Sequence, residues 1–479
     1  MYFCRFIGNL KVLIIRIMKI LLFLLLYSLF ASNNGAWWQR LFPEKRPVEV
    51  TPTEPTPDTL TLMFIGDVMS HMPQVTAAQM DDGSYDYSPC YRFIAPYIAS
   101  ADICIANMEV PLAGAPYSGY PQFSCPDAMM SQLFDAGVDV FLTANNHTCD
   151  KGAKGIRRTI QVMDSLRIPH VGTYFDSADF QQRNPLIVEK NGFRIAVLNY
   201  TYGTNGIPVP YPFIVNMLDS AEIASDIARA RELKADYIVV MPHWGIEYER
   251  KQNKNQEAFA NYMYECGANM VIGGHPHVVQ PITLENRDQY GVAQRITAYS
   301  LGNFVSNQRK RYTDGGIIVK CEIVRDTNGT VRVTDYEYLP YWVYRGVCFG
   351  KYQYYILPAK DAVEYNAQYN IHGADSVALN YFYNDTKSLI DNVPESRYYV
   401  GGRTFGPWQK AEDCKSNQNP VQKVSQILCS ISCQVWRVAP AKSALYWLSS
   451  FWASSFLPSF SRLTAFFSNA GSSSKALSS

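Results

Sequence analysis

Excess charge of either sign is missing from this chain: 43 Lys and Arg stand against 42 Asp and Glu over 479 residues, a formal net charge of +1 at pH 7. That balance removes any argument from net charge for a polyanionic partner, and no nucleic-acid partner is expected. No C-x-x-C pair occurs among the eleven cysteines, which excludes a zinc ribbon and a thioredoxin-type motif. Cys429 and Cys433 are spaced for one helix face, but two thiols are too few for a site, and an odd count leaves at least one thiol unpaired. Acidic residues are absent after Asp413, where Trp436, Trp447 and Trp452 sit among Phe and Ser. The tail 414–479 is therefore basic and aromatic, a composition that suits either a membrane surface or disorder. Histidine is scarce too, with seven residues.

What is present at the N-terminus is an export signature. Arg5, Lys11, Arg16 and Lys19 precede an apolar run from Ile20 to Ala31, a positive region followed by a segment of signal-peptide length. Cleavage after Ala31 or Ala36, a start at Met18, and retention as an anchor all remain open, since a stretch begun at Leu10 approaches the roughly 20 residues that span a bilayer. No cysteine follows the run, so no lipid anchor is expected there. Residues 1–36 are thus read as signal peptide or anchor, placing the protein in the cell envelope, on the periplasmic or extracellular face. A Pro/Thr-rich linker over 37–59 should be extended and semi-rigid.

From Leu60 onward strand-like and helix-like runs alternate. Strands are predicted over Leu60–Ile65, Ile103–Ala106, Val138–Thr143, Ile195–Tyr200, Tyr237–Met241, Met270–Ile272 and Ile296–Ser300. Helices are predicted around Tyr91–Ser100, Met129–Ala136, Ile156–Leu166, Ala221–Leu233 and Gln256–Cys266, which argues for α/β layers. Gly316–Ile323 and Val331–Tyr338 read as a hairpin turning at Asp326-Thr327-Asn328-Gly329. Residues 60–350 form the candidate domain and 351–413 its extension, a Tyr/Asn-rich stretch with no legible chemistry.

Polar clusters follow the strand-like runs. They are Gly66-Asp67-Val68-Met69-Ser70-His71, Asn107-Met108-Glu109, Asn145-Asn146-His147 with Asp150, His243-Trp244-Gly245 with Glu247, and Gly274-His275-Pro276-His277. Imidazole, carboxylate and amide groups gathered at successive strand ends are what a divalent cation requires. Asn107 and Glu109, two apart in extended backbone, share a face. His147 is suited to protonating a leaving group, and Glu247 to orienting His243 or binding metal itself. His275 and His277, at i and i+2 in extended backbone, are placed to reach one metal centre.

The ordered set Gly-Asp-Val-Met, Asn-Met-Glu-Val-Pro-Leu, Ala-Asn-Asn-His-Thr-Cys-Asp-Lys-Gly, Pro-His-Trp-Gly-Ile-Glu-Tyr, Gly-Gly-His-Pro-His-Val-Val-Gln-Pro and Tyr-Ser-Leu-Gly-Asn-Phe closely resembles the CapA family. These are poly-γ-glutamate capsule biosynthesis proteins, a branch of the calcineurin-like metallophosphoesterase superfamily, and the likeness covers about Leu60 to Val343. It implies a four-layer α/β/β/α sandwich, an envelope location and one or two divalent ions (Mn, Fe or Zn). By resemblance Asp67, Glu109, Asn146, His243, His275 and His277 are the ligands, one carboxylate bridging, with His147 as proton donor. His71, Asn107, Asp150 and Asn303 are further candidates. The superfamily's opening Asp-x-His is absent and its paired-Asp motif is replaced by Asn107-x-Glu109, leaving one-ion and two-ion occupancy open. The function so implied is hydrolysis or transfer of an amide or phosphoester bond by metal-activated water during capsule or exopolymer assembly. The expected partners are an anionic polymer and membrane-bound synthase components. The alternative is a non-catalytic, membrane-tethered protein that binds the polymer or its synthase.

Overall fold

The computed structural model describes residues 58–348 and 351–401. The signal or anchor segment, most of the linker and the basic tail lie outside the described residues. Among those described, no helix is long and apolar enough to cross a membrane.

Two sheets organise the body. The larger runs, in spatial order, Lys351–Pro358, Val331–Cys348, Gly315–Arg325, Asp58–Val68, Ile103–Met108, Val140–Leu142 and His170–Val171, with Asn303–Val305 pairing beside the end of Asp58–Val68. The smaller runs Ile282–Arg287, Ala293–Ala298, Met270–Ile272, Tyr237–His243, Phe193–Thr201 and Leu186–Lys190. Central strands are parallel in both sheets, joined by helical crossovers; antiparallel strands close both edges of the smaller sheet and one edge of the larger, whose other edge, His170–Val171, is parallel.

The period-2 pattern explains how the sheets stack. Leu60, Leu62 and Phe64 face inward and share one buried core with Ile195, Val197, Val239, Ile272 and Ile296 of the other sheet. Met63 and Ile65, from the same strand as Leu60, point outward to a second core with Met129, Leu133 and Met163 of the covering helices. On the far side Ala196, Leu198, Ile238 and Val240 meet Ile223 and Ile227 of helix Ser220–Glu232 and Met263 of helix Lys254–Cys266. Each central strand is therefore buried on both faces, which is why these runs read as continuously apolar. Truncating a side chain such as Phe64 to Ala should cost about 3–5 kcal/mol.

Local signals place the helices. Asp219 accepts from the backbone N–H groups of Ala221 and Glu222, and Asn253 from that of Gln256, capping the two helices that cover the smaller sheet. Gly267, at φ +109°, ends the second.

Three sequence expectations change. The single helix over Tyr91–Ser100 is two short ones, Ser88–Tyr91 and Ala95–Ile98, each with proline in its first turn; Pro96 lacks the N–H that a continuous helix needs there. The strand expected over Ile296–Ser300 lies earlier, at Ala293–Ala298, because Ala298 Oxygen accepts from Gly273 and the chain then turns into the site. The Tyr/Asn-rich stretch carries an edge strand of the larger sheet and helix Gly373–Leu389, held by an aromatic core of Trp342, Tyr344, Tyr355, Tyr369 and Phe382.

Candidate metal centre

The polar clusters occupy the carboxyl ends of the parallel strands. Asp67 and Asn303 are register partners on adjacent strands, and Asn107 pairs with Asp67 on the other side. His243 ends its strand, bridged to Gly274. Gly66 is required for this close approach: a Cβ there would stand 2.1 Å from the Gly302 carbonyl oxygen, which accepts from the Asp67 N–H. Gly274 is equally constrained, since a Cβ would lie 2.7 Å from Asp67 Oδ1.

Two groups of buried donor atoms result, Glu109 with His243 and His275, and Asp67 with Glu109 and His277, the atoms of each group lying within 4.8 Å of one another. Glu109 belongs to both. Its two carboxylate oxygens, Nδ1 of His275 and Nδ1 of His277 are buried without a hydrogen-bond partner. Glu109 Oε1 instead faces His243 Nε2 at 3.4 Å and His277 Nε2 at 3.8 Å. Buried polar atoms left without partners are costly unless something electrophilic satisfies them, and two carboxylates with three imidazoles are a donor set for a divalent transition cation. The residues present therefore fit such an ion.

Secondary contacts hold the donors in place. Asp67 Oδ1 accepts from Asn107 Nδ2 at 2.8 Å and Oδ2 from the His275 backbone N–H at 3.1 Å. Asn107 Nδ2 also lies 3.2 Å from His243 Nδ1, and Asn146 Oδ1 lies 2.8 Å from His243 Nε2. Burial opposes ionisation of Asp67, but His277, His243 and Asn107 together hold it at about 2. Burial, then the neighbouring His243 and His277, push His275 down to about 2, keeping it neutral as a ligand must be. Burial disfavours charge on His277 as well, yet Glu109 and Asp67 outweigh it and raise it to about 9.

His147 stands beside this centre. Its Nδ1 lies 2.8 Å from Asp150 Oδ2, which also accepts from the Phe123 N–H at 2.7 Å, and the Phe123 ring packs edge-on against the imidazole. Asn146, His147, Asp150, Asn205 and Glu247 line a cavity of about 440 Å³ that opens to solvent.

Three expected roles are corrected. His275 and His277 do not sit in extended backbone: their φ values are +97° and +57°, left-handed conformations rarely adopted by residues other than glycine, and the two imidazoles fall in different donor groups. Glu247 does not orient His243; it lies on an exposed turn lining the cavity, and the contacts to His243 come from Asn107 and Asn146. His71 joins neither donor group. It precedes helix Met72–Ala78, its Nδ1 lying near Gln74 Oε1 and the Asn307 N–H, and burial lowers it to about 4. Asn303 borders the centre: Nδ2 donates to Gln308 Oε1 and the Thr313 carbonyl, while Oδ1 is buried without a partner. The sequence reading missed Asn205 and Gln308, which carry no motif and reach the site only through loop folding.

Comparison with known proteins places this geometry. The capsule biosynthesis protein CapA of Bacillus anthracis is 30% identical over 286 residues, 57% of this chain and 66% of that protein. The PGA biosynthesis protein CapA of Bacillus subtilis is 27% identical over 287 residues, 58% of this chain and 71% of that one. Among solved structures, the NAD nucleotidase of Haemophilus influenzae aligns over 69% of this chain and 67% of its own at 11% identity and a TM-score of 0.38. A family model described as bacterial capsule synthesis protein PGA_cap matches residues 61–308, which hold all six of the expected ligands, and the chain belongs to that family.

Proposed function

We propose that this chain is an exported, metal-dependent hydrolase or transferase of capsule or exopolymer assembly, built as an α/β/β/α sandwich of metallophosphoesterase type and acting on an amide or phosphoester bond. The observation that carries the reading is the buried Glu109 carboxylate, shared by two donor groups and lacking any hydrogen-bond partner. The names of the CapA relatives support capsule synthesis as the setting.

A divalent cation bound here supplies Lewis acidity and lowers the pKa of water. Asp67, Glu109, Asn146, His243, His275 and His277 would hold it, while Asn107 Nδ2 steadies Asp67 through its Oδ1. Sharing of Glu109 between the groups favours two ions over one. His147, with its Nδ1–H directed at Asp150, keeps Nε2 for a proton that passes to the leaving atom as the scissile bond breaks. The donors' burial keeps bulk water from competing for the charge they stabilise.

The test is metal analysis of purified protein together with assays on a generic phosphodiester and on γ-linked glutamate oligomers. Turnover that is lost in both His147→Ala and Asp67→Asn is the expected result. Metal-loaded wild type that binds the oligomers without turning them over would establish a non-catalytic accessory role instead.

A further inference from the structure

Beyond residue 308, where the family match ends, the chain continues into Arg309, Lys310 and Arg311. The segment Asn307-Gln308-Arg309-Lys310-Arg311-Tyr312 follows strand Asn303–Val305 and runs along the edge of the site. On one side the Asn307 N–H approaches His71 Nδ1 at 3.4 Å, and His71 stacks edge-on with Phe123, which does the same with His147. On the other, Gln308 reaches Tyr248 Oη at 3.4 Å and Lys310 Nζ lies 5.0 Å over the Tyr248 ring, itself 6.2 Å from His277. The segment thus touches both the proton-donor side and the ligand side.

Its cations differ in how they are paired. Arg311 is satisfied by a bidentate pair with Asp385. Arg309, Lys310 and Arg345, by contrast, have no carboxylate within ion-pair distance among the described residues. Arg345 donates to Asn307 Oδ1, which also accepts from Tyr354 Oη at 2.6 Å. Arg309 donates Nη1 to the Val343 carbonyl at 2.6 Å and lies over the Tyr354 ring, with Nε and Nη2 buried and without an acceptor. Burial and then Arg345 disfavour the charge on Arg309, and Asp314 and Asp375 oppose this only from beyond ion-pair distance, so an anion beside the cluster would be stabilised.

We propose that Lys310 and Arg345, backed by the fixed charge of Arg309, form an oxyanion subsite that takes a carboxylate or phosphate carried by the substrate chain beside the bond being broken. Lys310 and Arg345 are exposed and make the contacts, whereas Arg309 acts through its field, its free edge being covered. Helix Gly373–Leu389 pins the segment: besides the Arg311–Asp385 pair, Arg311 lies 4.9 Å over Tyr381, and Arg250 both donates to the Asp385 carbonyl and stacks 4.1 Å over Tyr312. The subsite deepens the hydrolase reading and rests on it for what lies beyond the anion, but anion binding is measurable without turnover.

The experiment is calorimetric titration of the full chain with a γ-linked glutamate hexamer and, separately, with tripolyphosphate, as purified and after EDTA. The proteins compared are wild type, Lys310→Gln, Arg345→Gln, the double variant, and Lys190→Gln as a remote loss of one charge. We expect at least one probe to bind the EDTA-treated wild type. Each single variant should then bind about tenfold more weakly and the double variant more weakly still, with a shallower salt dependence, equal metal content and Lys190→Gln unchanged. Loss with the hexamer assigns a carboxylate chain, and loss with tripolyphosphate alone assigns a phosphate. A double variant within twofold of wild type for both probes, or a wild type that binds neither after EDTA, would overturn the subsite whatever the outcome of the hydrolysis assays.

Discussion

Replacing Glu109 with Gln separates a metal ligand from a structural acid. In the metal-free chain the carboxylate makes no hydrogen bond, and its nearest polar neighbours are the imidazoles of His243 at 3.4 Å and His277 at 3.8 Å. The substitution keeps the side chain's shape but removes the charge that, with Asp67, holds buried His277 up at about 9, so the metal-free variant should be less stable than wild type at neutral pH. The metal effect is therefore read against each protein's own metal-free baseline. A cation present at a hundred times its Kd stabilises the wild type by about 2.7 kcal/mol, roughly 5 °C in melting temperature for a body of this size. Loss of the carboxylate from both donor groups should raise Kd at least a hundredfold, and at the same cation concentration only about 0.4 kcal/mol remains. The assay is thermal unfolding with and without Mn²⁺ or Zn²⁺, paired with metal content by mass spectrometry. A Glu109→Gln protein that keeps the full metal-induced shift, or one that retains wild-type metal content, would refute the assignment.

Other outcomes follow from the same geometry. His147→Ala should lower turnover about 10²–10⁴-fold with metal content intact, and Asp150→Asn should fall between it and wild type, because the 2.8 Å contact to Nδ1 sets the ring's tautomer. Gly274→Ala places a Cβ 2.7 Å from Asp67 Oδ1 and 3.7 Å from His243 Nδ1, so metal affinity should fall about 10–100-fold, read by competition with a chelator. Asp385→Ala should cost at most about 1 kcal/mol in thermal unfolding, Arg311 being largely exposed. It should nevertheless weaken tripolyphosphate or glutamate-hexamer binding by loosening the segment that carries Lys310.

Much of the layering was legible because each central strand packs on both faces, leaving apolar runs such as Leu60–Ile65 and Tyr237–Met241 that end in polar clusters. The edges were harder to read. Lys351–Pro358 and Val331–Cys348 are strands rich in Tyr, whose hydroxyls blur the apolar pattern, although each pairs with its neighbour in sequence. Pro96 breaks a helix whose apolar spacing looked continuous. In the site, residue types were informative and roles less so. His275 and His277 stand two apart in sequence, both at positive φ, yet fall in different donor groups, and Glu247 follows His243 closely but turns out to solvent.

The chain alone determined that carboxylates, imidazoles and amides would stand at successive strand ends, because strand length and polarity are local properties. Only the tertiary structure decided that Glu109 is common to both donor groups, that Asn107 and Asn146 meet His243, and that the 307–312 segment packs against His71 and Tyr248. Those facts depend on distances between residues far apart in sequence, which are set by the packing of two sheets and the pairing of Asp58–Val68 with strands on both sides.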